Sequence, residues 1–239
     1  MAQYYGIPDP NDINGRPSGW SARWAGIASQ MTVLEDTGEH YIRIIKNSTS
    51  RAAYSIDAIP AAQNVEVFLD CLYETWNGSA ASSDATDIRA AIRGSGSASS
   101  ETGYVNGLRP QARSLRINRY VNGNFTDIAN EASFDENNTM TRIYQRVRSE
   151  GDLHSLKAWL ASDSEPDVWD IQTTDGGITG TGWTGVFSIT QGPIRIYRWG
   201  IGTDGDPAPT EPVPVGPTTP TGLITSNITA NSFRAGWTP

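Results

Sequence analysis

Disulfide chemistry is missing from this chain. Its 239 residues include one cysteine, Cys71, so no intramolecular bridge forms and a disulfide-stapled secreted scaffold is excluded. Histidine is nearly as scarce: His40 and His154 stand far apart, no His-x-x-x-His or Cys/His pair offers a zinc site, and no serine lies in a recognisable nucleophile elbow beside either. Both read as structural histidines. No stretch approaches the ~18 consecutive apolar residues that mark a bilayer span, so membrane insertion is not expected. The opening MAQYYGIPDP has neither a charged leader nor an apolar run, from which we expect no signal peptide and folding in a cytoplasm. Positive charge is short as well. Eighteen Lys+Arg against 26 Asp+Glu leave a net charge of −8 and a pI near 4.7, the reverse of the basic patch that phosphate contacts require. Nucleic acid is not an expected partner.

What the chain does have is turns and alternation. Gly 24 and Pro 14 suit many short strands. Val65 to Tyr73 is the clearest strand, with Val65, Val67, Leu69, Cys71 and Tyr73 on one face and Glu66, Asp70 and Glu74 on the other beside Phe68 and Leu72. Cys71 therefore reads as a packed core thiol. Arg142 to Arg148 and Ser155 to Leu160 alternate around Glu150-Gly151 as a hairpin, and Asn122-Gly123 marks a second, of type I′. Further strands are expected at 32–34, 39–46, 53–59, 88–93, 103–108, 114–121, 125–129, 168–173, 186–189 and 194–201, about twelve in all with no convincing helix. The Gly/Ser-rich Arg93 to Ser97 is not a phosphate loop, since it lacks the Gly-Lys-Ser/Thr ending and no helix follows.

The ends differ from the middle. Residues 1–24 are dense in Pro, Gly and Asn, show no period, and carry Tyr4, Tyr5, Trp20 and Trp24. We expect an arm whose aromatics lie against the sandwich or against a neighbouring subunit. Residues 206–219 read as a Pro-rich, semi-rigid linker.

A resemblance sits on the later strands. Arg146-Val147-Arg148, Leu156-Lys157-Ala158-Trp159, Glu165-Pro166, Trp169 and Gly182 to Phe187 resemble the last strands of concanavalin A-like (laminin-G-like) sandwiches, and the exit Ile201 to Pro209 is similar to that of such domains in bacteriophage virion proteins. The resemblance implies an all-β, two-sheet antiparallel jelly roll over residues 25–205. Beyond the linker, residues 220–239 resemble the first strands of a fibronectin type III domain, with Leu223 and Trp237 at its core positions; two strands alone bury no core, so we expect a longer polypeptide.

Chemistry is sparse. Glycosidases of the resembled fold use closely spaced carboxylates on one strand; Glu66 and Asp70 share a face but lie four residues apart, too wide for either general acid/base geometry, and read as an ion-paired or solvated face. No catalytic residue is assigned, and no enzyme and no cofactor are expected. Asp163, Glu165 and Asp167, with Asp170, form an acidic group that is a weak calcium candidate, as are Asp204 and Asp206. Trp159, Trp169 and Trp199 read as core; Trp76, before an Asn-Gly loop, is a candidate sugar platform. Candidate ligand or partner contacts are thus Tyr4, Tyr5, Trp20, Trp24 and Trp76. These features lead to an expectation of a non-enzymatic virion protein of a tailed bacteriophage, a tail-fibre, tail-associated or head-decoration component. It would be homo-oligomeric among other virion structural proteins, with a host surface glycan as a candidate partner. The alternatives are a carbohydrate-binding lectin-like module and, third, a glycan hydrolase.

Overall fold

The computed structural model describes residues 2–24, 31–45, 52–74, 87–97, 100–109, 114–131, 134, 140–189 and 193–212. Trp76 and residues 220–239, where the start of a fibronectin type III domain is expected, lie outside them. The described residues form fifteen strands in two antiparallel sheets. In chain order they are β1 (Ala2–Gly6), β2 (Trp20–Trp24), β3 (Met31–Asp36), β4 (Glu39–Ile44), β5 (Ala52–Ile56), β6 (Val65–Tyr73), β7 (Asp87–Ser95) and β8 (Thr102–Arg109). They continue as β9 (Ser114–Val121), β10 (Asn124–Glu131), β11 (Arg142–Glu150), β12 (Leu153–Leu160), β13 (Ile171–Thr174), β14 (Trp183–Ile189) and β15 (Ile194–Thr203). A single 3₁₀ turn, Pro10–Asp12, is the one helical element among the described residues.

Sheet I runs β13-β12-β11-β6-β15-β4-β3, and sheet II runs β10-β9-β8-β7-β14-β5-β2. The far edge of β15 is shared: β4 pairs with Ile194 to Ile196 and β1 with Trp199 to Thr203. Between the sheets lies one core, in which Val65, Val67, Leu69, Cys71 and Tyr73 of β6 meet Ile88, Ala90 and Ile92 of β7 and Val186 of β14. The two-residue period read along β6 is the pleat itself. The hairpin turns also stand where Gly and Asn permit them, with Asn122 and Gly123 both at positive φ (50° and 77°) between β9 and β10.

The N-terminal segment departs from its expected form. It is not an arm: β1 pairs along β15 and β2 along β5, so residues 2–24 contribute one edge strand to each sheet. The missing period has a cause. A bulge between Ala22 and Trp24 turns the two tryptophans to opposite faces, Trp20 into the main core and Trp24 onto the outside of sheet II with Tyr120, Trp183 and Phe187. The strand expected at 168–173 is shorter and later, at Ile171–Thr174, because Asp170 uses its carboxylate to accept the backbone N–H of Ala158 at 3.0 Å in place of a ladder bond.

Cys71 is fully buried, and burial pushes its thiol up to about 12. A thiolate is the reacting species. We expect no reaction with a water-soluble disulfide reagent at pH 8 in the native protein and one equivalent released in guanidinium; fast native labelling would mean that β6 is not where the fold places it.

Candidate functional site

The outer face of sheet I is built by the other half of each alternation. β6 presents Glu66, Phe68, Asp70 and Leu72, and β11, paired with it residue for residue, presents Arg142, Tyr144, Arg146 and Arg148. A bulge in β15 between Ile196 and Arg198 places Tyr197 and Arg198 consecutively on this face. Cross-strand register then sets opposite charges together. Glu66 accepts from Arg146 Nη1 at 2.5 Å and from Arg148 Nε; Asp70 accepts from Arg142 at 2.6 Å and from Arg198 at 2.7 Å. Both carboxylates are buried, with exposures of 2% and 0%. The ion-paired reading of this face holds, and the water is gone from it. A solvated face would have left these groups free. Here a covering strap closes over Glu66, and Arg142 and Arg198 close over Asp70.

That strap is the start of the Pro-rich run. After Asp206 the chain does not leave the domain but turns back across β15 and β6: Ala208 donates its N–H to Glu66 Oε1 at 3.0 Å, its carbonyl accepts from Arg146 Nη1 at 2.8 Å, and Thr210 O accepts from Arg198 at 3.3 Å. Gln3 of β1 holds Pro207 O at 2.8 Å. The seat needs glycine in β15, since a Cβ on Gly200 would lie 1.8 Å from Pro209 O and one on Gly202 2.0 Å from Asp206 O. So the expected linker is, over 207–210, part of the sandwich; its residues 213–219 lie outside the described ones.

Beside the strap is an open groove of about 210 Å³. Its floor is aromatic: Tyr144 meets Phe68 edge-on at 5.3 Å and Trp159 at 5.7 Å. Its rim carries Asp163, Glu165, Arg198, Thr210 and Glu211. Arg198 is occupied by Asp70 and by the Tyr144 hydroxyl at 2.8 Å. Glu165 is occupied as well, by Arg146 at 2.6 Å and Lys157 at 2.8 Å; although burial opposes it, these hydrogen bonds hold its pKa below the usual carboxylate value. Asp163 and Glu211 are exposed and make no ion pair among the described residues.

The residues singled out in the sequence fall in different places. Tyr4 and Tyr5 are half-buried on β1, Tyr4 against the core. Trp20 and Trp24 are closed off, at 3% and 0% exposure, and present no surface to a ligand. Trp159 and Trp199 are buried as expected, while Trp169 is half-exposed under Lys157 at 5.0 Å. Of the acidic group, Asp163 and Glu165 reach the groove and Asp167 does not; no cluster of three metal-ligating side chains forms among the described residues, and Glu165 spends its charge on cations already present.

One pairing escaped the sequence. His154 Nδ1 lies 2.8 Å from Ser149 Oγ across the β11–β12 ladder. Its other nitrogen meets the backbone carbonyl of Asp175 at 3.2 Å, not a carboxylate, and the ring is sealed under Tyr104 at 4.0 Å. This is a buried structural contact without substrate access. Burial, aided by the nearby Arg93 charge, pushes the imidazole below its ordinary 6.5. A group with a depressed folded value stabilises fully above its unfolded pKa and loses that contribution as pH falls through the folded one. Stability is therefore expected to drop first below about pH 6.5 through His154. It drops again in the carboxylate range, where Glu74, Glu165 and Asp175 are all held low by their arginine and lysine partners and hydrogen bonds against the opposing effect of burial. Urea midpoints across pH 8 to 4 check this, and His154→Gln should flatten only the upper step.

Taken together, an antiparallel two-sheet sandwich with a core between the sheets is a concanavalin A-like or galectin-like fold. No protein-family model matches the chain, and no curated protein sequence does. Solved structures match. The carbohydrate-binding module CBM66 from Bacillus subtilis aligns at a TM-score of 0.51 with 15% identity, over 75% of this chain and 92% of that one. The exoplasmic/lumenal domain of VIP36 in its Ca²⁺/Man2-bound form aligns at 0.54 with 14% identity, over 84% and 88%. A Bacillus subtilis protein of unknown function with a galectin-like fold aligns at 0.55 with 9% identity, over 83% and 94%. At these identities the likeness is one of fold.

Proposed function

We propose that this chain is a carbohydrate-binding module that seats one end of a glycan in the groove over Tyr144 and Trp159. The observation that carries the reading is the composition of that groove, aromatic below and carboxylate above. Sugar rings have apolar C–H faces that pack on aromatic carbon, and hydroxyls that donate to carboxylate oxygens. At about 210 Å³ the groove is smaller than the roughly 300–1,000 Å³ of drug-sized pockets and suits a single ring. CBM66 and the Man2-bound VIP36 domain, which share the fold, support the same reading by what their names say they bind.

Binding without turnover is part of the proposal. A general acid needs a raised pKa, whereas the Glu165 carboxyl is held low, and Glu66 and Asp70 are locked in buried ion pairs. Display on a bacteriophage particle is the wider setting we propose, and it rests on the exit Ile201 to Pro209 and the Pro-rich run alone.

Calorimetric titration of the full chain with oligosaccharides drawn from a glycan array tests the reading. One saturable site is expected, weakened about tenfold or more by Asp163→Ala, since a hydrogen bond to a charged group contributes about 1.5–3 kcal/mol. No binding by any glycan, or full affinity in that variant and in Tyr144→Ala alike, would remove the groove from consideration.

A further inference from the structure

The groove is not made by the sheet alone. Two of its lining residues, Thr210 and Glu211, belong to the strap, which reaches the groove only because Gly200 and Gly202 let the backbone lie flush on β15. Resting on the binding site proposed above, we infer that the strap Pro207–Glu211 is the specificity-determining wall of the groove, and that its Glu211 turns the site toward neutral and amino-bearing sugars and away from acidic ones.

Uncompensated charge on the rim sets the preference. Every cation near the groove is already engaged: Arg198 on Asp70, Arg146 on Glu66 and Glu165, Lys157 on Glu165, and Arg142 on Asp70 and Glu39. No guanidinium fork is left to take a sugar carboxylate, sulfate or phosphate in the bidentate manner that recognises such groups. Asp163 and Glu211 are the rim charges without an ion pair among the described residues, and both are negative. An acidic sugar entering over Tyr144 would set its carboxylate against them. A neutral sugar instead donates hydroxyls to them, and an ammonium group gains both the carboxylates and the negative faces of Tyr144 and Trp159. Specificity of this kind comes from the repulsive element as much as from the attractive one.

The strap's part in this is separable from Asp163, which follows β12. Thr210 O is held by Arg198, itself under Tyr144, so the main chain that carries Glu211 is tied to the groove floor. Glu211 is exposed, and no packing is lost when it changes.

The test is a matched series of neutral, amino and uronic-acid oligosaccharides of the same ring stereochemistry as the best array hit, titrated into the full chain. The order expected is amino, then neutral, then acidic. Glu211→Lys is expected to raise acidic over neutral affinity by about three- to tenfold, with the effect shrinking at high salt, and Glu211→Gln by less. Thermal melting of both variants should match the parent. If acidic sugars bind the parent as well as neutral ones, or if Glu211→Lys leaves the ratio unchanged, the inference is overturned while the binding site stands. If no sugar of any charge binds, the proposed function itself fails.

Discussion

Glu66→Ala is expected to lower the free energy of unfolding by about 3–5 kcal/mol, the cost typical of removing one partner from a buried ion pair. Its carboxylate spends both oxygens: Oε1 on Arg146 and the Ala208 N–H, Oε2 on Arg148. Alanine leaves three donors facing a void, of which Arg146 alone keeps a second carboxylate, Glu165. The loss is also local to the strap, because the Ala208 N–H has no other acceptor in its place. Amide exchange at Ala208 should therefore rise with the drop in denaturant midpoint. Glu39→Ala is the control. That carboxylate also pairs with an arginine, Arg142 at 2.7 Å, but its side chain is 49% exposed against 1% for the side chain of Glu66, and pairs in water contribute about 0–1 kcal/mol. Equal, small effects at the two positions would mean that the strap does not exclude water from Glu66.

The same residues show how far the sequence could be read. The alternation of β6 was legible because its inner face is uniformly apolar, and the β11–β12 hairpin because Gly151 interrupts two periodic runs. Those two features, with the turn chemistry, are enough for an all-β sandwich. Three other things lay beyond a local pattern. The register that sets Arg146 beside Glu66 joins residues 80 apart, so a carboxylate that reads as surface is in fact covered. The bulges at Ala22/Trp24 and Ile196/Arg198 reset the period in mid-strand, which hid β2 and sent Trp20 and Trp24 to opposite faces. The proline run looked like a spacer because proline spoils ladders, yet over 207–210 it needs no ladder: its carbonyls accept from side chains of the sheet beneath. Composition distinguishes proline-rich from helical chain. It does not distinguish a strut from a strap.

Gln145→Leu should be as damaging as the loss of Glu66, by about 2–5 kcal/mol, although it exchanges one buried side chain for another of similar size. Gln145 points from β11 into the core and reaches the opposite sheet. Its Oε1 accepts the backbone N–H of Leu108 at 2.7 Å, and its Nε2 donates to the carbonyl of Ile88 at 3.3 Å, with Tyr73 Oη and Cys71 Sγ at 3.3 and 3.2 Å. The β7–β8 register, Ala90 opposite Asn106, would bring Ile88 opposite Leu108 if continued, and those are the two groups the amide bridges. The side chain thus replaces a ladder bond with one of its own and ties sheet I to sheet II through the middle of the core. A leucine has neither acceptor nor donor. It leaves the Leu108 N–H buried without its partner, which costs about 1–3 kcal/mol, and it removes the Nε2–H that donates to the Tyr73 hydroxyl oxygen as well. Gln145→Glu should be at least as harmful, since an unpaired charge would enter the same apolar surroundings and could not donate to Ile88. Equilibrium unfolding of both variants, with exchange at Leu108 as the local probe, decides the matter. A small cost with Leu108 still protected would show that β7 and β8 close up and form the direct bond, in which case the amide fills a gap without holding the two sheets together.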